Sequence, residues 1–209
     1  MTEYDERTNM CLLAALMLPM TEQQQKWVRR GGSASEVFNT AIGREVDDKL
    51  KDGAKMGDVS KFLRFVVSEN AKLGVKLRYT LKCVSGRKCK RGGQRWWKPR
   101  DLYRTVVGRE GSYLLIGKAK MTGTKLTAAM KRIRKVKGNE EKLDKYCVEA
   151  KGVCNSNHAV SVKTENGESR LFDNACRNGS VVFSIENLAM KMCDLSACYY
   201  VDLCVDESK

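Results

Sequence analysis

From Cys11 to Leu18 every position is apolar, and Pro19 ends the run. A stretch apolar on all sides predicts a short, fully buried helix rather than a surface one. Thr21 then stands where a cap belongs, ahead of a polar helix over Glu22 to Arg30 with an acid and glutamines in its first turn. Gly31 and Gly32 break it. Ser33 or Ser35 starts a third helix, on which Val37, Phe38, Ala41 and Ile42 recur at helical spacing and Val46 and Leu50 continue the face. Asp58 caps a fourth, with Phe62, Leu63, Phe65, Val66 and Val67 as its apolar side and Gly74 just past its end.

At Val75 the period changes from helical to alternating. Val75, Leu77, Tyr79, Leu81 and Cys83 share one face of a strand, with Lys76, Arg78 and Lys82 on the other. A glycine-rich basic loop ending in Trp96 and Trp97 follows, and Asp101 to Val107 reads as helix or strand. Ser112 to Gly117 is a continuous apolar strand of the kind buried on both faces. Residues 124–137 read as a basic helix. His158 to Lys163 and Ser169 to Phe172 form a hairpin, because Asn166-Gly167 between them is a strong two-residue turn signal. Ile185 to Cys193 reads as a short helix and Cys198 to Cys204 as the last strand. Helices first and strands afterwards make an α+β layout, not an alternating βαβ one.

The 209 residues suffice for one domain with a sizeable core. The reading is a single domain over 1–209, with a helical subdomain at 1–74 and a sheet subdomain at 75–209 that carries a basic insertion around 82–150. No apolar run reaches the length of a membrane span. The run from Met10 to Met20 follows Glu3, Asp5 and Glu6, where an export signal needs a basic segment. The expectation is an intracellular protein, cytoplasmic or nuclear, with no membrane partner. The nine cysteines are then read as reduced and mostly buried rather than as a disulfide framework. Cys83 with Cys89, and Cys147 with Cys154 and His158, are spaced more widely than structural zinc knuckles, so neither metal nor cofactor is expected.

Charge alters this picture. The net charge is +14, and from Lys72 to Lys137 there are 21 Lys and Arg against two acids, Asp101 and Glu110. Such asymmetry points to nucleic acid or an acidic protein as a partner of the 72–137 region. Arg87, Lys88, Lys90, Arg91 and Arg95 beside Trp96 and Trp97 pair cations for a phosphate backbone with rings for base stacking. The competing reading packs both tryptophans onto the core and leaves the cations in water.

The chemistry rests on one histidine. His158 stands on a strand; Asp173 and Asn174 end the next strand, and Cys11 opens the apolar helix. A helix start favours a thiolate through its unpaired N–H groups and positive dipole end. An imidazole protonates the leaving amine after the sulfur attacks a carbonyl. Asn9 is the local side chain for the oxyanion. Only one of the adjacent Asp173 and Asn174 faces His158 across a hairpin, and Asp173 is preferred because it makes the stronger, charge-assisted bond.

Three segments, Asn9-Met10-Cys11-Leu12-Leu13-Ala14-Ala15-Leu16, His158-Ala159-Val160-Ser161-Val162 and Leu171-Phe172-Asp173-Asn174-Ala175, resemble the nucleophile helix, histidine strand and third-member strand of papain-like cysteine peptidases. The likeness extends to compact viral and effector-type variants and to ovarian-tumour-type deubiquitinases. It implies a papain-like fold, with the nucleophile on a central helix packed on a C-terminal antiparallel sheet. It also implies Cys11 as nucleophile, His158 as base and acid, and Asp173 (or Asn174) as orienter. The implied activity is cleavage of a polyprotein or of a ubiquitin-like conjugate. The alternative is a nucleic-acid-binding protein on the same scaffold.

Overall fold

Local rules settle the first helices. The computed structural model describes residues 11–43, 56–84, 89–91, 94–119, 157–173 and 180–207. The first apolar run forms α1 (Cys11–Met17), and Leu12 to Met17 are all 0–4% exposed. Each leucine so buried contributes about 2 kcal/mol. Thr21 caps α2 (Glu22–Arg29) reciprocally: Gln24 N donates to Thr21 Oγ1 at 3.2 Å, and Thr21 N to Gln24 Oε1 at 2.9 Å. Ser33 and Glu36 form the same box at the start of α3 (Ala34–Ala41), so Ser33 rather than Ser35 begins that helix. Helix α4 (Met56–Lys72) starts two residues before Asp58, which therefore lies in the first turn and not at the cap. An acid there still faces the positive end of the helix. Gly74, at φ 75°, ends the segment in a conformation that favours glycine. Fully buried Asn70 donates through Nδ2 to Val66 O at 2.8 Å and Trp27 O at 3.0 Å, tying α4 to α2.

Strand β1 (Leu77–Cys83) follows, then a separate antiparallel hairpin of β2 (Cys89–Arg91) and β3 (Gln94–Trp96). The segment left open between helix and strand is helical, α5 (Pro99–Val106), opened by a proline at its first position. Then come β4 (Gly111–Ala119), β5 (Asn157–Glu165), β6 (Glu168–Phe172), β7 (Ser180–Val182), α6 (Ile185–Lys191) and β8 (Met192–Val205). The hairpin between β5 and β6 turns on Asn166 (φ 54°) and Gly167 (φ 78°), the left-handed pair a two-residue turn demands. The helix expected over Ile185 to Cys193 stops at Lys191, and β8 starts at once, six residues before the expected strand. The sequence reading had no counterpart to β7.

The fold is α+β, with a six-stranded sheet in the order β1-β8-β4-β5-β6-β7 and every neighbouring pair antiparallel. Helices α1–α4 cover one face, where Leu77, Leu114, Ala159, Val201 and Leu203 join their core. On the other face Tyr113, Leu115, Val160, Val162 and Leu171 meet Trp97, Leu102 and Val106 at α5 and Leu188 on α6. Alternation along β4 sends Leu114 to the first core and Tyr113 and Leu115 to the second, which is why this strand is apolar without interruption. The sheet thus carries helices on both faces, not only the N-terminal ones expected. No helix among the described residues is long and apolar enough to cross a membrane.

Candidate active site

The register of the hairpin explains the first contact. Ser161 pairs with Phe172 across β5 and β6. One step on, Val160 stands opposite Asp173, and His158 shares the face of Val160 because strand side chains alternate. The imidazole and the carboxylate are thus diagonal neighbours on the second-core side. His158 Nε2 lies 3.0 Å from Asp173 Oδ1. Asp173 is 1% exposed and the His158 side chain 17%.

Cys11 enters from the other layer. It is the first residue of α1, which packs directly against β5, and its thiol is partly exposed. Cys11 also acts on the ring and favours its protonated form, so His158 couples the helix to the carboxylate. Burial alone would push the ring down. Asp173, through its hydrogen bond and charge, and Cys11 together outweigh it and hold His158 at about 9. Such a ring is an imidazolium at neutral pH. On the β4 side, Gly117 is the direct partner of His158 and adjoins a bulge against β8, where Ser196 Oγ donates to Ile116 O at 3.1 Å. Bulges of this kind bend a strand and re-aim neighbouring side chains.

One contact of Asp173 has no signal in the sequence. Lys191 Nζ, in the last turn of α6, lies 3.2 Å from Asp173 Oδ2. The two residues are on different elements with no motif between them, so no spacing signal pointed to the pair.

The other expected site residues divide. Trp97 is a correction: it is fully buried in the second core, and its backbone exchanges hydrogen bonds with Leu195 at 2.7 and 3.1 Å. Its ring is packed against the sheet, not offered to a base. Lys90, Arg91, Arg95 and Trp96 are described only as backbone, in the β2–β3 hairpin, with Lys90 paired to Arg95. Asn9, Arg87, Lys88 and Asn174 lie outside the described residues, as do Cys147 and Cys154, Val46 and Leu50, and the expected helix at 124–137. Among the described residues no group of three or more His, Cys, Asp or Glu side chains is arranged to hold a metal ion.

An open cleft of about 590 Å³ lies at the opposite end of α1 from Cys11, lined by Leu18, Pro19, Met20, Lys163, Arg170 and Phe172 among others. Exposed Arg100 and Arg104 are one helical turn apart on α5.

No family model and no curated protein matches the chain. Among solved structures it is similar to the Pseudomonas avirulence protein AvrPphB, with 12% identity, 98% of this chain and 95% of that one covered, and a TM-score of 0.35. So distant a likeness decides neither fold nor chemistry.

Proposed function

We propose that the chain is a papain-like cysteine peptidase in which Cys11 is the nucleophile, His158 the general base and acid, and Asp173 the orienting carboxylate. The observation that carries this is one imidazole hydrogen-bonded to a buried carboxylate at 3.0 Å and raised in basicity by a partly exposed cysteine as well. With Nε2 given to Asp173, Nδ1 is the nitrogen left for the sulfur. The raised basicity of the ring favours a thiolate–imidazolium pair, the form in which sulfur is nucleophilic.

The thiolate adds to the scissile carbonyl, and unpaired N–H groups at the start of α1 stabilise the oxyanion. The imidazolium then gives its proton to the departing amine, leaving a thioester and a neutral ring. That ring takes a proton from the water that cleaves the thioester, and the thiolate returns. The substrate class is a peptide or isopeptide bond in a polyprotein or a ubiquitin-like conjugate, met in the cytosol or nucleus.

The test is covalent capture. An electrophilic peptide or ubiquitin probe labels Cys11, and Cys11→Ala or His158→Ala abolishes labelling. Turnover of a cleaved substrate drops by roughly 10⁴-fold or more in either variant. Labelling that persists in both variants would end the assignment.

A further inference from the structure

We propose that Lys191 is a positioning residue of this site: its ammonium keeps Asp173 ionised and fixed behind His158 during the part of the cycle when the ring is neutral. The inference rests on the peptidase reading above for its catalytic meaning, and on geometry for the interaction itself.

Asp173 is 1% exposed, and each carboxylate oxygen meets a cation: Oδ1 the His158 ring at 3.0 Å, Oδ2 the Lys191 ammonium at 3.2 Å. A carboxylate taken out of water is costly unless a charge stays beside it. His158 cannot fill that role throughout, because it surrenders its proton to the leaving amine. At that moment Lys191 remains as the positive charge on Asp173. Without it the buried carboxyl takes up a proton and its bond from Nε2–H loses the charge that makes it strong, so the ring is braced only weakly just before it must act as a base. His158 from β5 and Lys191 from α6 both bear on this carboxylate, and Cys11 of α1 acts on the same ring.

The ammonium is delivered by a rigid junction. Leu188, one turn earlier, and Met192, the next residue, are both fully buried, and the helix passes into β8 without a loop. The Lys191 backbone is therefore held by the core on both sides, while its side chain, 27% exposed, crosses to Asp173. An arginine at this place reaches the same oxygen with a permanent charge. A methionine keeps the apolar stem and removes the charge.

The chain has a single histidine, so ¹⁵N-histidine labelling reports His158 alone. The expected result is a downfield Nε2–H proton signal in the native protein and in Lys191→Arg. On acidification it disappears in Lys191→Met at a pH about one unit higher, as Asp173 becomes protonated. In parallel kcat/KM falls roughly tenfold in Lys191→Met, with its acid limb shifted upward, and Lys191→Arg restores both. Loss of the signal at the same pH in all three proteins overturns the proposal. So does Lys191→Arg behaving like Lys191→Met while both melt normally, since the charge would then be irrelevant. If the native protein cleaves no substrate, the peptidase reading fails while the ring signal still decides whether Lys191 holds Asp173.

Discussion

The two faces of the sheet are built differently. The helical layer of the first core is local: α1 is one unbroken apolar run, α2 and α3 each start at their own capping box, and α4 turns one apolar stripe inward. The second gathers Trp97, Leu102, Val160, Leu171, Leu188 and Leu195 from across a hundred residues of chain. The proposed site straddles this division. Cys11 belongs to the local layer, Asp173 and Lys191 to the assembled one, and His158 joins them. Cys11 is positioned by short-range rules, while the proposed partners of its thiol depend on long-range packing.

The largest effect expected from disturbing this contrast is on the second core. Trp97→Ala should cost about 3–5 kcal/mol, because a fully buried indole is replaced by a cavity. Denaturant unfolding measures the loss. The mixed origin of the site further predicts that His158 loses its bond to Asp173 while α1 stays helical. A Trp97→Ala protein with native stability would show that the second core does not depend on that residue.

The next effect is the link between the layers. His158 binds its proton more tightly in the folded chain, at about 9, than at its ordinary value of 6.5. That stabilisation, about 3 kcal/mol, is complete below pH 6.5 and is lost as pH rises through 9. Chemical denaturation at a series of pH values should show this decline, and His158→Gln should remove it. An identical slope in His158→Gln would assign the pH dependence to other groups.

The smallest effect should be confined to the local layer. Thr21→Ala removes one cap and should cost about 1 kcal/mol with turnover unchanged. Thermal melting and a rate assay together check it, and a matching loss of rate would mean that α2 bears on the site after all.

This division also explains what could be read in advance. The helices of the first layer, the Asn166-Gly167 hairpin and the doubly buried β4 all follow from patterns within a few residues. So did the approach of His158 to Asp173, since one hairpin register brings them together. Strand β7 escaped notice because three residues, one of them a strongly exposed valine, carry no periodicity. The start of β8 was misplaced because a helix runs into it without glycine or proline to mark the change. Trp97 follows a basic run that fits a stacking ring and a core ring equally, and its burial depends on β8, almost a hundred residues later. The pairing of Lys191 with Asp173 has no local signature at all.

The placement of β8 bears on when this protein matures. It pairs with β1 on one side and β4 on the other, and among the described residues β1 has no other strand beside it. On the ribosome, a nascent chain that has emerged only as far as β7 still has β1 waiting as an unmatched edge. Lys191 immediately precedes that missing strand, so the ion pair with Asp173 and the joining of β1 to the sheet become possible at the same point of the emerging chain.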